Sequence, residues 1–334
     1  MKKGTKIFFF TTGIIIFLVL VYSFGFDKIL FYIDKTGYYF IPICGVWLVV
    51  YILNAYAWQL IIDNNSCSFT KLITVSISSF AINYITPFVS LGGEPYRVLA
   101  VKEDIGLNKA VSSTLLYNML HILSHLFLWI ISILLILFFY NLDSASFILL
   151  LISFIVILLI MVIFFIAHKK GVFKWLITIS DKKLLTGLHK LLLKNKEKLE
   201  IIDKEIIFLF NEKQSVFWLA LFIEFVSRII MSFEFYFILN SIDINISILD
   251  AIAINAVSSL IQNILFFMPM GLGAREGSLY LIMESLGLTP MLGIYVSVIN
   301  RIREFFWIFI GLLLIQITGK RKYTINEIMD VNND

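Results

Sequence analysis

The stretch TPFVSLGGEPYR, Thr86–Arg97, interrupts an apolar run that extends from Leu72 to Val101. A second stretch, PMGLGAREG at Pro269–Gly277, does the same to the run from Ala251 to Leu286. Proline removes a backbone donor and glycine permits unusual dihedrals, so both stretches free polar backbone groups. In a bilayer such groups are tolerated only where protein or a water-filled cavity satisfies them. Each interrupted run therefore reads as a broken helix or hairpin inside a bundle.

Composition makes the bilayer the relevant solvent. Of 334 residues, 60% are hydrophobic and 15% charged, and the mean hydropathy is +0.92, far above soluble domains. Six further runs are long and apolar enough for spanning helices, which need about 20 residues: Ile7–Phe26, Tyr39–Ile62, Lys109–Tyr140, Ala145–Ala167, Ser215–Asn240 and Pro290–Ile317. The first is longer than a signal-peptide core and runs into Asp27, so it reads as a retained helix. Strand alternation is absent, which excludes an outer-membrane barrel. The fold class is all-α, a polytopic membrane helix bundle of about six spans plus two hairpins. It forms one integral domain over 1–334, with a basic amphipathic segment at 168–214 and a tail at 318–334.

Lysine placement sets the expected topology, because cytoplasmic loops are enriched in Lys and Arg. Lys2, Lys3 and Lys6 put the N-terminus inside, and eleven lysines from Lys169 to Lys213 put 168–214 inside as well. Both hold only if the first broken region enters and leaves on one side. The same argument makes the second region re-entrant and leaves Lys320, Arg321 and Lys322 inside; Lys28 and Lys35 are the exceptions. The expected location is the cell membrane, multi-pass, with both termini cytoplasmic. Cys44 then lies in a helix and Cys67 in a cytoplasmic loop, where a disulfide is not expected.

The two broken regions resemble each other. Each has a proline, a Leu-Gly pair and a glutamate, then a Gly-Leu step (Gly106-Leu107, Gly287-Leu288) and an asparagine about 12 residues on, Asn118 and Asn300. Three spans separate them, which predicts an inverted-topology repeat.

Six arginines occur in the chain, and Arg97, Arg228, Arg275, Arg301 and Arg303 fall within apolar runs. A charge at the bilayer centre costs at least about 2.5 kcal/mol on insertion scales, so these groups must face protein or water. Glu94, Glu224, Glu276 and Glu304 lie near them in sequence. Glu224 and Arg228, one turn apart, read as a structural pair. In the last helix Asn300, Arg301, Arg303 and Glu304 lie roughly 15 to 21 Å beyond Pro290, at mid-bilayer depth. For these and the hairpin groups two readings stay open: static ion pairs, or a site for an anionic headgroup. His121 and His125 are one turn apart and lack the further ligands of a metal site, which favours hydrogen bonding or a proton relay. No catalytic constellation, nucleotide loop or cofactor pattern is visible. The expectation is a non-enzyme without metal, cofactor or nucleic-acid partner.

At these residues the sequence resembles the lysylphosphatidylglycerol synthase transmembrane-domain family of flippase-like membrane proteins. The resemblance rests on Pro87 through Gly92-Gly93-Glu94 to Arg97, on Pro269, Gly271, Gly273 and Arg275-Glu276-Gly277, and on Arg301. In fused members a soluble domain aminoacylates phosphatidylglycerol and the membrane part translocates the product. The chain ends at Asp334 without that domain, so only translocation is implied. The expected site is a polar cavity where the two hairpins meet near the midplane: Arg97, Arg275 and Arg301 hold an anionic headgroup, Glu94 and Glu276 hold those arginines when it is empty, and Arg303, Glu304, Asn118 and Asn300 complete the candidate substrate contacts. Pro87, Gly92, Gly93, Pro269, Gly271 and Gly273 are the expected hairpin-forming residues. The expected partner is a membrane lipid with an anionic headgroup or a lipid-linked intermediate. The alternatives are a non-transporting subunit of a lipid-modifying or glycosyl-transfer enzyme and, less favoured, a membrane-embedded transferase.

Overall fold

The computed structural model describes residues 26–62, 67–85, 93–139, 144–180, 189, 192–194, 196–265 and 273–317. The expected span Ile7–Phe26 lies almost wholly outside these residues, as do Pro87, Gly92, Pro269 and Gly271. The described residues form helices and no strand. They are α1 (Phe26–Thr36), α2 (Phe40–Ile62), α3 (Phe69–Ile85), α4 (Gly93–Ile105), α5 (Leu107–Phe139), α6 (Ser144–Lys170), α7 (Val172–Ser180), α8 (Lys196–Asn211), α9 (Gln214–Asn240), α10 (Ile248–Ile264), α11 (Ala274–Ser285) and α12 (Met291–Ile317). The protein is an all-α membrane bundle.

Four stretches are long and apolar enough to cross a bilayer: Leu30–Ile62, Leu107–Phe139, Phe147–Ala167 and Gln214–Asn240. They match four of the expected spans. The last expected span forms one 27-residue helix, α12, whose interior charges lower its hydropathy. Only 11% of the α6 window is buried, and Leu149, Leu151, Ile152, Ile155 and Leu159 point outward. In lipid such a surface carries no solvation cost, so α6 needs no protein cover on that face.

The two broken regions fold as antiparallel helical hairpins. Along α3 and α4 the contacts step in register: Asn83 with Glu94, Ser79 with Arg97, and Lys71 with Asp104. Along α10 and α11, Gln262 meets Arg275 and Ser258 meets Ser278. Side chains satisfy the freed backbone at the start of α4. The Gly93 N–H donates to Asn83 Oδ1 at 2.6 Å, and Ser79 Oγ donates to the Gly93 carbonyl at 2.9 Å. A Cβ at Gly93 would lie 2.5 Å from the Ser79 carbonyl oxygen, so only glycine permits this approach. At the start of α11, Gly273 has φ +81° and its N–H donates to Glu276 Oε2 at 2.8 Å.

Helix packing falls into matched pairs. α2 packs along α9, and Trp47–Glu234 together with Asn54–Ser227 shows that they run antiparallel. α3 packs on α12 while α10 packs on α5. Gly106 and Gly287, which follow the two hairpins, both adopt positive φ, +80° and +70°.

The basic segment is tied to the bundle. The buried Asp203 carboxylate of α8 accepts the N–H groups of Phe173 and Lys174 at 3.0 and 2.8 Å, capping α7. Ile206 and Leu209 are buried, and α8 packs on α5, α6 and α9. Of the apolar positions expected on this segment, Leu192 is buried and Leu199 partly so, while Leu184, Leu188 and Leu191 lie outside the described residues.

Candidate functional site: a charged cavity beside the second hairpin

The charges of α12 point in different directions, and each meets a different helix. Arg303 makes a two-pronged contact with Glu234 of α9: Nε donates to Oε1 at 2.9 Å and Nη2 to Oε2 at 3.0 Å. Its guanidinium also lies 3.9 Å from the Trp47 ring centroid, and Trp47 Nε1 donates to Glu234 Oε2 at 2.6 Å. Arg303 is 2% exposed. An ion buried so deeply persists only when paired and hydrogen-bonded, and the planar fork of arginine suits that geometry.

Glu304, the next residue, holds Arg275 of α11 through both oxygens, at 2.8 and 2.9 Å. It also accepts from the Tyr84 hydroxyl of α3. One carboxylate thus joins the two hairpins through α12. Arg275 Nε reaches Gln262 Oε1 at 3.3 Å, so all three guanidinium nitrogens are engaged. Arg301 pairs with Glu276, Nη2 to Oε1 at 2.6 Å, and Ser297 donates to the same oxygen at 2.7 Å. The other Glu276 oxygen caps α11, so this carboxylate fixes both the start of α11 and its seat on α12.

A cavity of about 160 Å³ lies beside this network. Arg275, Arg303, Glu234 and Glu304 contribute two positive and two negative charges to its wall. Asn255, Gln262, Asn263 and Asn300, with Ser258 and Ser259, supply amides and hydroxyls. Two wall atoms are buried without a hydrogen-bond partner: Asn300 Oδ1 and Arg303 Nη1. Asn300 is 6% exposed.

Arg97 sits elsewhere, on the α3–α4 hairpin. Its guanidinium lies 4.4 Å from the Tyr117 ring and 5.3 Å from the Trp58 ring, and Nε donates to Ser79 Oγ at 3.1 Å. Nη1 is buried without a partner, and none of the ion pairs among the described residues involves Arg97. Glu94, one turn earlier, accepts from Asn83 through Oε1, and its Oε2 is unbonded.

A third polar centre joins α5 to α9. Glu224 is fully buried, 2.9 Å from His121 Nδ1 and 3.4 Å from Arg228 Nη2. With its amide turned so that both ends are satisfied, Asn54 donates to its second oxygen at 3.1 Å. Rings continue along α5 from Tyr117 through His121 and His125 to Trp129, whose Nε1 donates to the cavity residue Ser259 at 2.9 Å. Among the described residues no group of three metal-ligating side chains comes together.

The structure thus brings Arg275, Arg303, Glu304 and Asn300 to one cavity, with Arg301 and Glu276 one layer away on the same helices. Glu94 and Arg97 form a separate centre. Asn118 is half-buried on α5 and is not part of the cavity wall. Glu94 does not pair with Arg97, and Arg275 is held by Glu304 rather than Glu276, because the neighbours in space belong to other helices. Sequence reasoning missed Glu234, Tyr84, Trp47 and Gln262. For Glu234 a signal existed: it is an ionisable residue inside the expected span Ser215–Asn240. For the other three there was none.

A family model described as the lysylphosphatidylglycerol synthase TM region matches residues 7–311. No curated protein and no solved structure matches the chain. The family match spans both hairpins and α12 up to Gly311, and thus every charged group of the cavity; the chain belongs to the lysylphosphatidylglycerol synthase TM-region family.

Proposed function

We propose that the protein translocates a phosphate-bearing lipid, an anionic phospholipid or a lipid-linked intermediate, between the leaflets of the cell membrane. The observation that carries this reading is the polar cavity of about 160 Å³ walled by Arg275, Arg303, Glu304 and Glu234 inside an otherwise apolar bundle. Charges and amides at membrane depth are costly, and a cavity that concentrates them provides a route for a polar headgroup while the acyl chains stay in lipid. Arg97, held by aromatic faces instead of a carboxylate, is the natural contact for a lipid phosphate.

The architecture agrees with an inverted repeat around that route. α2 and α9 run antiparallel, α3–α12 mirrors α10–α5, and the glycines after the hairpins share positive φ. Such symmetry supports two inter-converting arrangements, one open to each leaflet. The hairpin helices have 17, 13, 17 and 12 residues. All are shorter than the roughly 20 residues of a full span, as re-entrant helices should be. With the basic segment inside, both termini are cytoplasmic.

A second reading draws on the equal numbers of positive and negative charges in the cavity wall: static ion pairs in a non-transporting subunit of a lipid-modifying enzyme. Reconstitution separates the two. Purified protein in liposomes with fluorescent phospholipids of several headgroups is expected to scramble lipid faster than protein-free liposomes, and Glu94→Gln to slow it. Equal rates with and without protein, for every headgroup, would favour the static subunit.

A further inference from the structure

The cavity wall says more about what enters it than a headgroup of either sign. Its two arginines are already neutralised, Arg275 by Glu304 and Arg303 by Glu234, with contacts of 2.8 to 3.0 Å. A second anion would have to displace a buried carboxylate, at a cost of several kcal/mol. A bare cation finds both carboxylates equally occupied.

What remains unused is neutral hydrogen-bonding capacity. Asn300 Oδ1 is an acceptor without a donor, and Arg303 Nη1 a donor without an acceptor, on side chains 6% and 2% exposed. Buried groups of this kind cost about 1 to 3 kcal/mol each unless something fills them. A hydroxyl both donates and accepts, so neighbouring hydroxyls on one small group satisfy both atoms. The cavity, about 160 Å³ and open on one side, leaves room for such a group.

We propose that the cavity binds a neutral, hydroxyl-rich lipid headgroup through Asn300 and Arg303. This rests on the translocation reading and specifies its substrate: the hydroxylated end of the headgroup enters the cavity, and any phosphate stays outside it.

The test uses the full chain in detergent, with lipid retention read by native mass spectrometry. Probes are a monoglucosyl diacylglycerol, the matching diacylglycerol, phosphatidylserine and free methyl glucoside. The expected result is preferential retention of the glucosyl lipid, with about tenfold weaker retention by Asn300→Leu, the loss of one hydrogen bond to a buried group. The Asn300 side chain makes no hydrogen bond among the described residues, so Asn300→Leu should melt no lower than wild type, and Asn300→Asp provides a second variant of similar size. Equal retention of diacylglycerol, or undiminished retention of the glucosyl lipid by Asn300→Leu, overturns the proposal and leaves a cavity filled by water. Binding of methyl glucoside as tight as that of the glucosyl lipid overturns the lipid as its source. Selective retention without scrambling would refute translocation and keep this site; scrambling without selectivity would do the reverse.

Discussion

The two hairpins carry one arginine each near their turns, and the bundle treats them differently. Arg275 on α11 has every nitrogen engaged and a carboxylate from α12 across both prongs. Arg97 on α4 has two aromatic faces, one serine and an unbonded Nη1. A cation over aromatic rings gains about 0.5 to 2 kcal/mol, less than the several kcal/mol it costs to bury an ion. The α10–α11 hairpin is thus locked to the bundle by a direct ion pair, whereas Arg97 of the α3–α4 hairpin has aromatic faces and no carboxylate in direct contact among the described residues. On the proposed function the same helix pattern serves two roles, anchoring and reception.

The sharpest way to break this contrast is to remove the lock. Glu304→Leu strands Arg275 and frees Tyr84, and is expected to cost about 3 to 5 kcal/mol, the loss typical of a broken buried pair, read as the largest fall in melting temperature in detergent. Glu234→Gln keeps shape but leaves Arg303 without its counter-charge, for about 1.5 to 3 kcal/mol in the same assay. On the other hairpin, Gly93→Ala drives a methyl against the Ser79 carbonyl and should cost about 1 to 3 kcal/mol by overpacking. Arg97→Leu should cost about 1 kcal/mol or less, since it forfeits only the aromatic contact and one hydrogen bond. A fall for Arg97→Leu as large as that for Glu304→Leu would erase the distinction.

The smallest expected effect concerns topology. Burial, and then the Asp104 charge, push the Cys67 thiol up to about 11. Since the thiolate is the reacting form, a neutral-pH maleimide should leave Cys67 unmodified in folded protein. With Cys44, the other free cysteine, replaced by serine, cysteines placed in the 168–214 segment can then report its side of the membrane against a silent background; labelling of that segment from outside cells would contradict the lysine-based topology.

Much of the architecture was legible in the sequence because membrane solvation writes it plainly. Apolar length gave the helices, and Pro-Gly clusters at 86–97 and 269–277 marked where they break. The presence of buried charges was also legible, since a bilayer excludes them unless they are housed. Their pairing was not. Arg303 meets Glu234, 69 positions away, and Glu304 meets Tyr84, 220 positions away; such partners are chosen by helix packing, which residue spacing along one helix does not reveal. The same holds for Arg97, whose nearest carboxylate in sequence, Glu94, turns instead to Asn83.

On the proposed function, Arg97 receives a lipid phosphate while the opposite hairpin holds the bundle together. Lipid scrambling by wild type and Arg97→Leu in the same liposomes, with melting temperatures measured alongside, tests it most directly. The account predicts scrambling well above protein-free liposomes for wild type and near that background for Arg97→Leu, at closely similar melting temperatures. Full scrambling by Arg97→Leu, or none by wild type, would contradict it.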